Sequence, residues 1–450
     1  MKRLLRFHLK VRGSSRRRLP VATIAFLSLL LVLALATATR AQFAFERKLT
    51  ASDASSDDNF GLSVGISGST AIVGARGGNS AVFDEGSAYL FNVHTGAELF
   101  KLAAADLLPG AEFGLSSAIS GDTAIVGAPS TPNTFGAAYL FDVTTGQERF
   151  KLTPSDGWLV SGFGASVGIS GNTAIVGTHP DPEEHDGFGA AYLFDVTTGE
   201  ERLRLTPSDT VSFADFSWSV GISGNTAIVG ARSANGAKFG TGAAYVFDAT
   251  TGEQRFKLTA SDGEIRDVFG ETVAISGNTA IVGASLDDEA GTNAGAAYLF
   301  DVTTGEQLFK LTASDGEEDD RFGWSVAIDG NTAIVGARLD DDSGSNAGAA
   351  YLFDVITGKE LLKFTASDAA EGDFFGSVAI SGSVSLVGAH HNDDAGQQSG
   401  SAYLFNSIPE PSSLLLAIVA LLSLSPFARC RQQRRTRHEK TPWIPSHGAR

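Results

Sequence analysis

Phe322-Gly323-Trp324-Ser325-Val326-Ala327-Ile328, a turn at Asp329-Gly330-Asn331 and Thr332-Ala333-Ile334-Val335-Gly336-Ala337 open one unit of the chain. An acidic loop with Asp340-Asp341-Asp342 follows, then Ala349-Ala350-Tyr351-Leu352-Phe353-Asp354, a turn at Ile356-Thr357-Gly358, and Glu360-Leu361-Leu362-Lys363-Phe364-Thr365. Four runs of strand-forming residues are thus separated by the Gly, Asn and Asp that turns demand, and none has helical spacing of apolar positions. Runs such as Ala-Ile-Val and Tyr-Leu-Phe are apolar on both faces, as in a sheet covered on both sides.

The unit recurs. Phe60-Gly61, Phe113-Gly114, Phe163-Gly164, Phe216-Ser217, Phe269-Gly270, Phe322-Gly323 and Phe375-Gly376 follow one another at intervals of 53, 50, 53, 53, 53 and 53 residues. Tyr89, Tyr139, Tyr192, Tyr245, Tyr298, Tyr351 and Tyr403 are all the tyrosines of the chain, one per unit. Seven four-stranded units that cannot bury their faces alone predict a stacked repeat architecture.

The seam decides which one. The seventh unit stops after its third run, Ser401 to Asn406, while Phe45-Glu46-Arg47-Lys48-Leu49-Thr50-Ala51-Ser52 stands unmatched before the first Phe-Gly and resembles the fourth run Phe309 to Ser314. A strand supplied from the N-terminus closes a ring and leaves no unpaired edge. An open solenoid has no use for that offset. The predicted fold is all-β: a seven-bladed β-propeller of four-stranded blades over residues 42–408, closed by an N-terminal strand that completes the last blade.

Phe-Gly-x-Ser-Val-Ala followed by Val-Gly-Ala, with Gly127-Ala128-Pro129 complete in the second unit, resembles the FG-GAP repeats of integrin α-subunit propellers and bacterial surface proteins. The resemblance implies a binding or adhesion module, often with calcium in an Asp-rich hairpin. Here that hairpin is only Ser276-Gly277-Asn278-Thr279 or its equivalent, too short and too poor in carboxylates for such a cage. Tyr298 to Glu306 also resembles the repeats of pyrroloquinoline quinone dehydrogenases, but Phe150, Phe256 and Phe309 replace their docking tryptophan.

The two ends predict export. Residues 1–41 read as a signal peptide, with basic residues from Lys2 to Arg18, an apolar stretch from Val21 to Ala38 and small residues before Gln42. An uncleaved anchor and a twin-arginine route, from Arg16-Arg17, remain open. At the other end Pro409-Glu410-Pro411, a short apolar run from Ser412 to Ala428 and an arginine cluster ending at Arg437 resemble the PEP-CTERM sorting signal of Gram-negative bacteria. That resemblance implies a membrane-inserted helix at 409–437 before processing, an exosortase-type partner, and an envelope, outer-surface or extracellular-matrix location. A basic and polar tail, 438–450, follows.

The first 41 residues carry nine basic and no acidic side chains, and residues 409–450 carry seven basic and two acidic ones. The domain between them has 18 basic against 49 acidic residues, a formal charge near −31. Nucleic acid is excluded as a partner, since phosphate binding needs a basic surface. The only cysteine is Cys430, beyond the apolar run, so thiol chemistry and disulfides are excluded from the domain.

In an antiparallel blade the turns after strands two and four share one face of the disc. That face collects the acidic loops, and the expectation is a carboxylate rim for calcium or a cationic partner, against loops acidic merely for solubility. The metal candidates are Asp340, Asp341 and Asp342, with Asp287 and Asp288, since a hard cation wants several oxygens at once; no other cofactor is expected. His390-His391 beside Asp393 offers a transition-metal pair, against exposed loop histidines. Trp218 and Trp324 follow Phe-Gly positions, to line a sugar channel or to pack near the axis. There is no nucleophile elbow, phosphate loop or zinc helix, and repeats this alike argue against a single asymmetric active site. The expectation is a non-catalytic exported binding or structural module for polysaccharide or a surface protein; the alternative is a secreted polysaccharide hydrolase or lyase on the acidic face.

Overall fold

The computed structural model describes residues 43–77, 85–130, 136–155, 162–179, 189–209 and 214–407. The expected signal peptide at 1–41, the Pro409-Glu410-Pro411 segment and the tail lie outside the described residues. Residues 43–408 form one compact unit, and every regular element described in it is a β-strand. They pair into seven antiparallel sheets of four. Blade six, for example, is Phe322–Asp329, Thr332–Ala337, Ala349–Asp354 and Lys359–Phe364 in that order.

The seventh sheet holds Phe375–Ser381, Val384–Ala389, Ser401–Ser407 and, on its outer edge, Phe43–Leu49. Lys48 stands opposite Tyr403 and Leu49 opposite Ala402, the register that Lys363 and Phe364 take against Tyr351 and Ala350 in blade six. The N-terminal strand is therefore a fourth strand by register as well as by sequence. First strands are innermost, each beside that of the next blade, and the ring closes with Phe60–Ser67 against Phe375–Ser381.

The core lies between blades. Each of seven clusters joins one sheet to the next: Ile281, Leu299 and Leu311 of blade five meet Phe322, Val335, Tyr351 and Phe353 of blade six. The repeated Phe stands edge-on to both aromatics, as Phe322 does at 5.5 Å from Tyr351 and 5.7 Å from Phe353, the geometry their ring quadrupoles favour.

The two glycines of the motif explain each other. A Cβ on Gly336, in the second strand of blade six, would lie 1.9 Å from the carbonyl oxygen of Gly376 in the Phe-Gly of blade seven. Gly388 stands in the same relation to Gly61 across the seam, also at 1.9 Å. The motif is the place where backbones of successive blades touch. Blade four alone has Ser217 there, at φ 70°, with its hydroxyl donating to the Thr178 carbonyl.

On the face with the short hairpins a closed chain of hydrogen bonds links the blades. Gly121 N–H donates to Ser67 Oγ, Gly171 to Ser120, Gly224 to Ser170, Gly277 to Ser223, Gly330 to Ser276, Gly382 to Asp329 and Gly68 to Ser381.

Candidate functional site

Strands bring two groups of functional side chains to the face with the acidic loops: an outer rim and an axial mouth. The rim is built on the repeated tyrosine. Tyr351 donates to Asp315 Oδ1 at 2.9 Å and to Asp340 Oδ2 at 2.7 Å. Lys363, opposite it on the fourth strand, donates to Asp315 at 3.0 Å, Asp340 at 2.8 Å and Asp342 at 2.6 Å. Asp315 leaves the last strand of blade five, so this trio clips two blades together.

The clip recurs around the ring. Tyr298 and Lys310 hold Asp262 and Asp287, Tyr89 and Lys101 hold Asp53, and Tyr139 and Lys151 hold Asp106. At the seam Tyr403 and the N-terminal Lys48 hold Asp368. Burial, and then the partner carboxylates, keep these phenols well above their usual pKa, so they act as neutral donors. Burial alone would lower Lys363, but Asp340, Asp342 and Asp315 hold its ammonium above the usual range.

The metal candidates divide on this frame. Asp287 and Asp340 are 3% and 2% exposed and turned onto tyrosine and lysine. Asp342 also reaches Lys363, whereas Asp341 and Asp288 are exposed, Asp288 accepting from Asn293 N–H at 2.7 Å. The cation that gathers Asp340 and Asp342 is an ammonium, and no group of three or more His, Cys, Asp or Glu arranged to hold a metal occurs among the described residues.

Behind the rim, Asp267 and Asp320 are almost fully buried. Each accepts from the backbone N–H three residues before it, Glu264 and Glu317. Burial first, then neighbouring carboxylates such as Asp340 and Asp341, push Asp320 up to about 6. A carboxyl whose pKa is raised in the folded state binds more protons folded than unfolded, so its contribution falls as pH rises from about 4 through 6. Asp320→Asn keeps an acceptor for Glu317 and removes the charge. The variant should be more stable than the parent by up to about 3 kcal/mol at pH 7.5, and by much less at pH 5. Urea midpoints at the two pH values measure this; an advantage independent of pH would contradict it.

The axial mouth is a cavity of about 630 Å³ lined from all seven blades. It is formed by the starts of first strands and by the residues that follow second strands. Both positions vary from blade to blade. After Gly-Ala, or Gly-Thr in blade three, stand Arg76, Pro129, His179, Arg232, Ser285, Arg338 and His390 in successive blades, of which Arg76, His179, Arg338 and His390 line the cavity. After Phe-Gly, or Phe-Ser in blade four, stand Leu62, Leu115, Ala165, Trp218, Glu271 and Trp324, and blade seven has one residue fewer before its Ser377.

Aromatic rings hold the cations. Arg232 lies 3.1 Å over the Trp218 ring and Arg338 3.3 Å over Trp324, contacts that add to charge pairing. His179 stacks on Trp218 at 4.0 Å, with 5° between the planes. Glu271 is buried; desolvation raises its pKa while Ser285 and the arginines 232, 338 and 321 oppose it. On the side of blade seven His390 and His391 pack on Phe374.

His390 is thus buried and His179 half-buried in the mouth, and neither is displayed on an exposed loop. Their backbone leaves the second strand directly toward the axis. Trp218 and Trp324 both line the cavity and pack, each against its arginine. That unlike residues converge here was not read from the sequence, because only the closed ring brings positions about 53 residues apart to one axis.

Seven successive matches to the FG-GAP repeat cover residues 43–91, 97–141, 147–194, 200–247, 253–300, 306–353 and 359–405. Each runs from the fourth strand of one blade to the third strand of the next, so the sequence repeat is offset by one strand from the blade. No curated protein matches the chain. With seven consecutive repeats and closure by the N-terminal strand, the chain belongs to the FG-GAP repeat family.

Proposed function

We propose that the chain is an exported, non-catalytic binding module of a Gram-negative-type cell envelope, and that its axial mouth is the surface that reads the ligand. One observation carries this reading: seven blades alike in their core and hairpins place unlike side chains at the axis mouth, from Leu62 and Ala165 to Glu271 and Trp324 on first strands and Arg76, His179, Arg338 and His390 after second strands. A binding pocket needs unlike groups converging on one space. Export and retention are supported by residues 1–41 and by Pro409-Glu410-Pro411 with its apolar run and arginine cluster, which fit a sorting enzyme of the exosortase type.

The acidic rim, on this reading, joins blades and keeps the domain soluble. Calcium at Asp340, Asp341 and Asp342, or at Asp287 and Asp288, is the second reading for it, and the exposed Asp341 and Asp288 favour it. Such an ion would have to displace Lys363 or Lys310. A polysaccharide hydrolase or lyase on the same face is the alternative from another class.

One experiment separates the three. Immobilised full-length protein is exposed to a panel of extracellular polysaccharides, with retention and new sugar ends measured, in calcium and in chelator. Saturable retention of at least one polymer, no new ends and no effect of chelator is the expected result. Released oligosaccharide would replace the binding module by an enzyme, and retention lost in chelator would give the rim to calcium.

A further inference from the structure

The mouth is not evenly charged. In the sector of blades three to five, Arg232 is matched by Asp215 at 3.2 Å and Glu271 at 3.9 Å. In the sector of blades six, seven and one, Arg338, His390, His391 and Arg76 meet without a carboxylate paired to either arginine among the described residues. We propose that this sector is a binding site for a single small oxyanion-bearing molecule, held by Arg338, Arg76 and His390. The inference rests on the binding-module reading above and names its ligand class.

Three observations carry it. Arg338 is half-buried on Trp324, and its Nε, like that of Arg321, is buried without a hydrogen-bond partner. His390 is 6% exposed, lines the cavity, and its Nδ1 is also buried without a partner. Arg76 lines the same cavity, is exposed, and makes no ion pair among the described residues.

Buried donors without acceptors are costly in a folded protein, and cations gathered in one place repel one another. Burial and then Arg321 lower Arg338 to about 10, with Glu271 opposing them. Burial, His391, Arg338 and Arg76 push His390 down to about 3. His390 therefore meets a ligand at neutral pH as a neutral imidazole, while the arginines supply the charge. An oxyanion repairs both defects at once: it accepts from Arg338 Nε–H, and from His390 Nδ1 in the tautomer that carries its proton there, and it neutralises the facing guanidinium groups, whose fork suits carboxylate and sulfate alike.

Size and setting restrict the ligand. The cavity of about 630 Å³ is of small-molecule dimensions. The domain around it is strongly acidic, so a long polyanion would be repelled by the rim while one charged group on a sugar-sized body would not.

Calorimetric titration of the full-length protein with glucuronate, inorganic sulfate and glucose tests this. Glucuronate should bind and glucose should not; sulfate binding as well would define a general oxyanion site, and its failure a carboxylate site. Arg338→Gln should weaken glucuronate at least about tenfold, the loss of one charge-assisted bond, with an unchanged melting temperature showing that the fold persists. Arg76→Gln, at an exposed side chain that makes no ion pair among the described residues, should weaken it in the same direction with the melting temperature unchanged. No binding of either anion, equal binding of glucose, or full affinity in both variants would overturn the proposal. If anions fail while polysaccharide is retained, the binding module stands and this inference falls.

Discussion

A chain lacking residues 43–49 should not yield a stable monomer. The loss removes the outer strand of blade seven, its register pairs from Glu46–Phe405 to Leu49–Ala402, the buried Leu49, the bonds of Lys48 to Asp368 and Asn392 and that of Glu46 to Ser367 N–H. Burial of one leucine contributes about 1.5–3 kcal/mol and each net hydrogen bond about 0.5–1.5 kcal/mol. The sum passes about 5 kcal/mol and so reaches the whole margin of an ordinary domain. The strand Ser401–Ser407 would also be left as an apolar open edge, a template for pairing with other chains. Size-exclusion chromatography should show aggregated species, and a peptide of residues 43–52 added during refolding should restore the monomer. A truncated protein that stays monomeric with an unmoved urea midpoint would show that closure contributes nothing.

Gly336→Ala should be the most damaging single methyl group in blade six. Its Cβ would meet the Gly376 carbonyl oxygen at 1.9 Å and the carbonyl carbon at 2.8 Å, both backbone atoms of the next blade, so no side chain can swing away. One blade must move against its neighbour, at a cost of about 3 kcal/mol or more. Gly330→Ala is the control. That residue has φ +55° and open space around its Cβ, and should cost only the left-handed backbone term of about 1–2 kcal/mol. Denaturant unfolding of the two variants decides: equal losses would mean that the contact between blades is not what the motif glycine protects.

Much of this was legible from the residues. The four runs from Phe322 to Phe364, the spacing of seven tyrosines and the unmatched Lys48-Leu49 led to blade, number and closure, because strand pattern and repeat period are local properties. The clips were harder to see. Asp262 meets Tyr298 and Lys310, 36 and 48 residues later and in the next blade, so a reading of loops found the carboxylates without their cations. A lysine or arginine opposite every tyrosine, from Lys101 to Lys363, was the available signal. The mouth was hidden for the opposite reason. Comparing repeats for likeness passes over Arg76, His179, Arg338 and His390, whose meaning lies in their difference and in the ring that brings them to one axis.

The seam also decides how the domain bears load. Phe43 pairs with Ser407, so both ends of the propeller emerge at one point of its circumference. Tension between the two ends would peel the outer strand away one rung at a time, like a zipper. Tension on Ser407 against a ligand held at the axis would instead shear a strand flanked on both sides, breaking all its rungs together. The same join is therefore weak when its ends are parted and strong when the ring is pulled from its rim.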